Sequence, residues 1–476
     1  MMSNQNLSKV LTSRHLMMIA LGGSIGTGLF IASGGAIHNA GPGGALLGYG
    51  IISIMVFFLM TSLGEMAAMI PSTGTFNKYA SDFVDPAFGF SMSWNYWFNW
   101  AITIAVEVLA AGLIMQYWYP NTNILLWSSG FFILIFVMNI FTVKVFGETE
   151  YWLSMIKVTS VIIFIIVGVL TCLGMIGHGS NVGFHNWSIG DAPFHNGFWG
   201  FMGVFLIAGF SFQGTELIGV AAGETKDPSK AIPTAIKSTF WRIVIFYIVS
   251  IAIISLVIPY NNTNLVNPNS DITLSPFTII FKQAGFTFAA TLMNTVILTA
   301  VLSAANASMY SATRTLWYMG ENRHAPRIFS KLSNRGVPYI SLLATSLIGS
   351  VFLLSSRFHN GVIFIWLVNI SSLAGFIAWF GIAFSHYRFR RAYIRQGFKL
   401  SDLPYRAKFF PFSSIFSMVL ILFIIAGQQL MLIISGGFSF FNFFATYIGL
   451  ILFLILWITY KLKFKTKMIT LDECKF

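Results

Sequence analysis

Twelve apolar runs of membrane-spanning length follow one another along the 476-residue chain. A helix needs about 20 mostly apolar residues to cross the hydrocarbon core of a bilayer. The runs lie at 16–38, 44–69, 88–118, 123–142, 151–176, 198–222, 236–259, 286–313, 339–355, 361–386, 412–435 and 440–460. Charged residues make up only 9% of the chain, whereas an ordinary soluble domain has roughly 25%. The sequence therefore excludes a soluble globular enzyme and predicts an all-α integral membrane protein with 12 transmembrane helices.

Lysine and arginine are distributed unevenly among the segments between these runs. With both termini in the cytoplasm, 24 of the 28 basic residues fall in cytoplasmic segments, and only Lys282 and Arg357 fall outside. Cytoplasmic loops of membrane proteins carry such an excess. The pattern predicts cytoplasmic termini, and it explains the net charge of +13 without nucleic acid as a partner.

Two of the apolar runs are interrupted by glycine. The first contains Gly22-Gly23-Ser24-Ile25-Gly26-Thr27-Gly28, and the sixth contains Gly209-Phe210-Ser211-Phe212-Gln213-Gly214-Thr215-Glu216. Glycine in a spanning helix often serves close helix packing. Interruptions five spans apart instead indicate an inverted repeat whose broken helices hold a substrate. Freed N–H groups suit a carboxylate and freed carbonyls suit an ammonium, and an amino acid has both groups.

Few ionisable residues lie inside the apolar runs, where charges are costly enough to suggest function. Glu107 lies in the third run, Lys157 in the fifth, and Glu216 at the interruption of the sixth. Two deep carboxylates against one lysine leave one acid either protonated or paired with a cationic substrate. Glu224 lies near the cytoplasmic end of the sixth run, where a gating role and a solvated position both remain open.

The interruptions, together with Trp94-Asn95-Tyr96-Trp97 and Ile156-Lys157-Val158, closely resemble the amino acid–polyamine–organocation superfamily. Within it the chain is most similar to bacterial amino acid permeases, and in particular to lysine-specific permeases. The resemblance covers roughly residues 10–460 and places the chain in a bacterial inner membrane. One difference from the lysine-specific permeases that it resembles is Glu107, where they tend to have aspartate.

The resemblance implies a five-plus-five inverted-repeat (LeuT-like) core with discontinuous helices 1 and 6. The expected divisions are a cytoplasmic tail at 1–15, a first repeat at 16–176, a second repeat at 198–386, helices 11–12 at 412–460 and a cytoplasmic tail at 461–476. The substrate-binding residues that it implies, together with the deep acids, are Gly22, Gly23, Ser24, Gly26, Thr27, Glu107, Phe210, Ser211, Gly214 and Glu216. Proton coupling is expected at Lys157, Glu216 and Glu224, and gating at Tyr96, Trp100 and Phe212.

Three functions are compatible with these residues. The first is proton-coupled import of L-lysine by alternating access, which Lys157 favours because a fixed cation that exchanges a proton can provide coupling. The second is exchange of cationic amino acids such as arginine, lysine or ornithine, and the third is a lysine-binding sensor with a membrane signalling partner. An enzyme is not expected, and neither a cofactor nor a metal is expected, because no nucleophile–base pair, phosphate loop or metal-ligand spacing occurs.

Overall fold

The computed structural model of the chain is built from α-helices joined by loops. It describes residues 12–476 apart from 73, 142, 178–182, 221–224, 226, 264, 266–274, 357–359, 431–432 and 434–438. No β-strand occurs in the part of the chain so described, which agrees with the predicted all-α class.

Helices follow the predicted runs closely, with a few additional short ones. Their bounds are α1 (Ser13–Ser24), α2 (Ser33–Met69), α3 (Thr75–Phe83), α4 (Pro86–Met115), α5 (Ile124–Asn139), α6 (Val143–Cys172), α7 (Gly197–Phe212), α8 (Leu217–Val220), α9 (Pro228–Val257), α10 (Pro276–Gln283), α11 (Thr287–Glu321), α12 (Tyr339–Gly349), α13 (Asn360–Arg395), α14 (Phe412–Gly427) and α15 (Phe440–Phe464). The sequence did not predict α3 and α10, because neither is long or apolar enough to cross a membrane.

Several of these helices have membrane-spanning length and composition. Among the described residues, 8 helical segments are long and apolar enough to cross a bilayer, and one of them, Ser13–Met69, includes the first two predicted runs. Shorter apolar helices at 124–139, 244–257 and 412–427 coincide with three further runs. The chain is therefore a multi-pass helical membrane protein, while the count of twelve crossings stays a prediction.

The first two predicted runs are joined by a bend within α2 and not by a loop. Gly41 has a φ of 73° inside this helix and Pro42 follows it. Glycine accepts such a positive φ at little cost, and proline cannot donate a backbone hydrogen bond inside a helix. The N–H of Gly43 instead donates to the carbonyl oxygen of Pro193 at 2.9 Å. The bend thereby connects α2 to the segment that precedes α7.

Helix α4 lies at the centre of the bundle and packs against α11, α13 and α15. Its start is fixed by Asp85, whose carboxylate accepts a hydrogen bond from the N–H of Ala87 at 2.8 Å, and by proline at the first helical position. Every residue from 99 to 115 is buried. This helix therefore places Glu107 in the interior of the protein.

Both glycine-rich stretches are places where a helix ends. Helix α1 stops at Ser24, Ile25 is extended with φ −85° and ψ 92°, and a π-helical turn from Gly28 to Ala32 leads into α2. Helix α7 stops at Phe212, and Gly214 then takes a φ of 98°, which strongly favours glycine. A helix end leaves backbone N–H or carbonyl groups without partners inside the helix. Here such groups lie within long apolar segments, and not at their ends.

Candidate functional site

A single tyrosine connects the two helix ends. The hydroxyl of Tyr247 on α9 donates to the carbonyl oxygen of Ser24 at 2.7 Å and to that of Ser211 at 2.7 Å. Tyr49 on α2 supplies a second contact, because its hydroxyl lies 3.0 Å from Oγ of Ser211. Both tyrosines are fully buried. The glycine pattern revealed the two breaks but gave no signal for Tyr247, whose position depends on how α9 packs.

The deep lysine lies against the first break. Lys157 on α6 is fully buried, and its Nζ donates a hydrogen bond to the carbonyl oxygen of Gly22. A backbone carbonyl freed at a helix end can accept from an ammonium without any further partner. The predicted proximity of Lys157 to the first-span carbonyls agrees with this geometry.

Glu107 meets the first break from the other side. Oγ1 of Thr27 donates to Oε2 of Glu107 at 2.6 Å, and the glutamate side chain is 3% exposed. A Cβ atom added to Gly26 would lie 3.2 Å from Oε1 of Glu107 and 2.9 Å from Cβ of Ala304. The carboxylate therefore sits directly beside Gly26, where the resemblance implies the α-carboxylate of a substrate.

Glu216 belongs to the second break. Its Oε2 accepts from the backbone N–H of Gly214 at 3.2 Å and from Nε1 of Trp379 on α13 at 3.3 Å. The carboxylate thus caps the turn in which it lies and attaches that turn to α13. The contacts of the structure assign Glu107 to the first break and Glu216 to the second.

A polar network at the second break was not predicted from the sequence. Ser371 on α13 donates to Oδ1 of Asn99 at 2.9 Å, and Nε2 of Gln213 donates to the carbonyl oxygen of Ser371 at 3.1 Å. Oγ1 of Thr103 on α4 lies 2.7 Å from Oγ of Ser371. Asn99, Gln213 and Ser371 are ordinary polar residues in the sequence, so only their mutual contacts identify them.

The aromatic side chains predicted as gates are all buried beside this network. Tyr96 and Trp100 on α4 make an edge-to-face pair with ring centroids 5.9 Å apart. Phe212 stacks on Tyr247 at 4.6 Å. In the part of the chain that the structure describes, Nδ2 of Asn99 on the same helix has no hydrogen-bond partner. Unpartnered buried polar atoms are rare, so this face of α4 has free capacity to bind a polar ligand.

Several of the groups predicted to bind substrate already form hydrogen bonds within the protein. Oγ of Ser24 donates back to the carbonyl oxygen of Ala20 at 2.8 Å, and Oγ of Ser211 donates to that of Ile207 at 2.8 Å. The carbonyl oxygen of Phe210 accepts from the N–H of Gln213 at 3.2 Å.

The two breaks also touch each other directly. A Cβ atom on Gly23 would lie 3.7 Å from Cα of Gly214, so the backbones meet at these two glycines. The remaining predicted coupling residue, Glu224, lies outside the described residues.

The count of two deep acids against one lysine is wrong, because Glu150 is a third. The fifth apolar run was predicted to begin at 151, which placed Glu150 in the preceding loop. Helix α6 in fact begins at Val143, and Glu150 is fully buried at 3.9 Å from Nζ of Lys157. Oγ of Ser303 on α11 donates to its Oε1 at 2.6 Å. The predicted start of this span lies eight residues after the start of the helix, which left Glu150 outside the span.

A cavity of about 300 Å³ lies one helical turn from the two breaks. Ile31 and Ile207 line it, and they lie four residues from Thr27 and Ser211 respectively. Its other lining residues include the amides Asn39, Asn369, Gln428 and Gln429 and the hydroxyl of Thr446. The cavity is therefore large enough for a small polar molecule and has uncharged polar groups on its wall.

Two interrupted helices that meet at buried polar backbone, inside a bundle of membrane-length apolar helices, define a membrane transporter and not an enzyme. The sequence comparisons identify the family. Residues 15–473 match the profile of the amino acid permease family, so the chain belongs to that family.

Individual relatives are similar over nearly the whole length. The chain is 53% identical to the lysine-specific permease LysP of Escherichia coli over 471 residues, which are 99% of this chain and 96% of that protein. It is 48% identical to the histidine permease HisP of Lactococcus lactis, covering 99% and 98%. It is also 48% identical to the lysine-specific permease LysP of the same organism, covering 98% and 92%.

Proposed function

We propose that this amino acid permease imports L-lysine together with protons across a bacterial inner membrane by alternating access. The observation that carries the proposal is the placement of Lys157 and Glu107 at the first break. Lys157 supplies a cation at the carbonyl oxygen of Gly22, and Glu107 supplies an anion beside Gly26. The names of two relatives, at 53% and 48% identity, support lysine as the substrate.

The backbone of both breaks is the proposed site of the α-carboxylate and the α-ammonium. In this proposal the backbone around Gly23, Gly26 and Gly214 binds those groups. Glu107 or Glu216 neutralises the ε-ammonium, since an intramembrane carboxylate is stabilised by a cation. Tyr96, Trp100 and Phe212 form the proposed gates because they are large, buried and adjacent to the breaks.

The proposed topology has twelve crossings, two inverted repeats of five helices, and cytoplasmic termini. The asymmetry of basic residues supports the orientation.

Lys157 is the proposed coupling residue, because losing or gaining its proton changes how strongly it holds the carbonyl oxygen of Gly22. That change can bias the equilibrium between two access states.

Uptake into proteoliposomes tests the proposal. The purified chain is reconstituted, and accumulation of labelled lysine is followed with an imposed pH gradient, with an imposed sodium gradient, and with neither. We expect accumulation only with the pH gradient. Accumulation that requires sodium and ignores pH would contradict proton coupling.

Histidine is the second candidate substrate, because a histidine permease is as similar to this chain as one of the lysine permeases. Competition for lysine counterflow by unlabelled histidine, arginine and ornithine distinguishes the candidates. We expect lysine to compete most strongly. Equal competition by arginine or ornithine, with exchange but no net uptake, would favour the exchanger.

A further inference from the structure

One buried carboxylate has no role in the proposed substrate site. Glu150 lies on α6 and is 0% exposed, although it lies only about two turns from the start of that helix. Its Oε1 accepts from Ser303, and its Oε2 has no hydrogen-bond partner within the described part of the chain. A buried carboxylate with a free oxygen is costly to keep unless it serves a purpose.

The position of Glu150 along α6 places it between Lys157 and one face of the membrane. Seven residues separate Glu150 from Lys157, which is about 10 Å along a helix. Two residues before Glu150 lies Glu148, which is 41% exposed and contacts Arg14 at 3.0 Å and His15 at 3.1 Å. Water therefore reaches α6 within a turn of Glu150, on the side predicted to be cytoplasmic.

Lys157 has two alternative acceptors in this arrangement. Its Nζ donates to the carbonyl oxygen of Gly22, and the same atom lies 3.9 Å from Oε1 of Glu150. A Cβ atom on Gly22 would collide with the Glu150 carboxylate, so the absence of a side chain there keeps the ammonium and the carboxylate near each other. The ammonium therefore has both acceptors within its reach.

We infer that Glu150 receives the coupling proton from Lys157 and releases it to water on the cytoplasmic side; this rests on the proposed proton coupling. An N–H bond of the Lys157 ammonium breaks while an O–H bond forms on the Glu150 carboxylate, which leaves a neutral amine and a neutral acid. The acid then transfers its proton to a water molecule, which becomes hydronium, and the carboxylate is restored.

The neighbours of Glu150 favour this role. Helix α1 presents Gly22 and the carbonyl oxygen of Met18, which accepts from Ser154 at 2.8 Å. Helix α11 presents the hydroxyl of Ser303. Among the contacts of the described residues, Lys157 is the charged group that faces Glu150. Glu107 on α4 lies beyond the lysine, where it contacts Thr27 of the first span. The acids therefore stand on either side of the lysine, one towards the substrate and one towards the cytoplasm.

Glu150→Gln tests the inference, because glutamine keeps the size and the acceptor but cannot carry a proton. Parent and variant are compared in proteoliposomes in two assays, lysine uptake driven by a pH gradient and lysine–lysine counterflow at equal pH. A positioned proton-transfer group is typically worth at least about 100-fold in rate, so we expect gradient-driven uptake to fall by roughly that factor. Counterflow should stay close to the parental rate, because exchange requires no proton release.

Three further variants complete the experiment. Glu150→Asp should recover part of the gradient-driven uptake, and Glu148→Gln, an exposed carboxylate at the same end, should keep it. If Glu150→Gln fails to fold, Ser303→Ala replaces it, since it removes one hydroxyl from Glu150 and should slow gradient-driven uptake selectively.

Each outcome decides a separate point. Parental gradient-driven uptake in Glu150→Gln, or in Ser303→Ala where that variant replaces it, overturns the inference. Equal loss of uptake and counterflow in a folded variant also overturns it, because that pattern indicates a structural role. A parent protein that ignores the pH gradient instead overturns the proposed function.

Discussion

The hydroxyl of Tyr247 lies 2.7 Å from the carbonyl oxygen of Ser24, at the end of the first interrupted helix. The same hydroxyl lies 2.7 Å from the carbonyl oxygen of Ser211, near the end of the second. One side chain from α9 therefore holds both breaks in a fixed relationship.

Tyr247→Phe should weaken lysine transport while the protein remains folded. The variant keeps the ring that stacks on Phe212 but leaves two buried carbonyl groups without their donor, at a cost of about 1–3 kcal/mol. Lysine uptake by proteoliposomes measures the effect. Tyr49→Phe is the matched control, because among the described residues its hydroxyl contacts the side chain of Ser211 and no backbone carbonyl, and it should have the smaller effect. Parental uptake by Tyr247→Phe would show that the bridge is dispensable.

Gly26→Val should abolish lysine binding. A Cβ atom at this position already lies 3.2 Å from Oε1 of Glu107 and 2.9 Å from Cβ of Ala304, so a branched side chain displaces the carboxylate. Gly50→Ala on α2 is the control, because a Cβ atom there meets nothing within 4 Å. Binding is measured with labelled lysine on detergent-purified protein whose thermal unfolding confirms the fold. Normal binding by folded Gly26→Val would refute the proposed placement of the substrate.

Neutral replacement of the two acids should separate their roles. Glu107→Gln or Glu216→Gln keeps the shape and removes the charge, and losing the partner of a buried ammonium costs several kcal/mol. We expect at least one variant to lose roughly 100-fold or more in lysine affinity, at 1.4 kcal/mol for each factor of ten. Equilibrium binding of labelled lysine and of a neutral amino acid measures this. If both variants bind lysine like the parent and neither gains neutral substrates, specificity comes from pocket shape.

Removing a buried ion pair at the predicted cytoplasmic end should destabilise the whole bundle. Glu65 on α2 is 0% exposed and contacts Arg390 on α13, and it also accepts from the backbone N–H of Ala407 at 2.6 Å. Breaking a buried pair by removing one partner costs about 3–5 kcal/mol, so Glu65→Gln should lower the thermal midpoint in detergent. Arg395→Ala breaks an exposed pair with Asp472 and should change it little. Equal effects of the two variants would contradict the buried-pair assignment.

Acid should loosen the loop that precedes α7. Hydrogen bonds from Tyr260 and His195 lower the pKa of Asp191 from 3.8 to about 2. Because the folded-state pKa is depressed, the stabilisation is present above the unfolded pKa of 3.8 and is lost as the pH falls towards about 2. The difference in thermal midpoint between the parent and Asp191→Asn should therefore be present at neutral pH and disappear across that interval. A difference that persists at the acid end would rule out titration of Asp191 as its cause.

Much of the architecture followed from local properties of the sequence. Apolar length set the helices, and glycine content located both breaks at Gly22–Gly28 and Gly209–Glu216, because neither property requires knowledge of a neighbour. The scarcity of charge singled out Glu107 and Lys157, whose contacts at the first break agree with that choice. The number of crossings, the inverted repeat and the membrane orientation stay predictions.

Only the tertiary structure decided which of these groups meet. Ser24 and Tyr247 are 223 residues apart, and Glu65 and Arg390 are 325 apart, so no local pattern links them. Glu150 was misplaced because its burial depends on α6 starting at Val143 and turning that side chain towards Ser303. Hydropathy fixes where a helix crosses the bilayer, but the rotation of each helix about its axis is set by packing against its neighbours. That rotation determines which acid faces Lys157 and which caps its own turn.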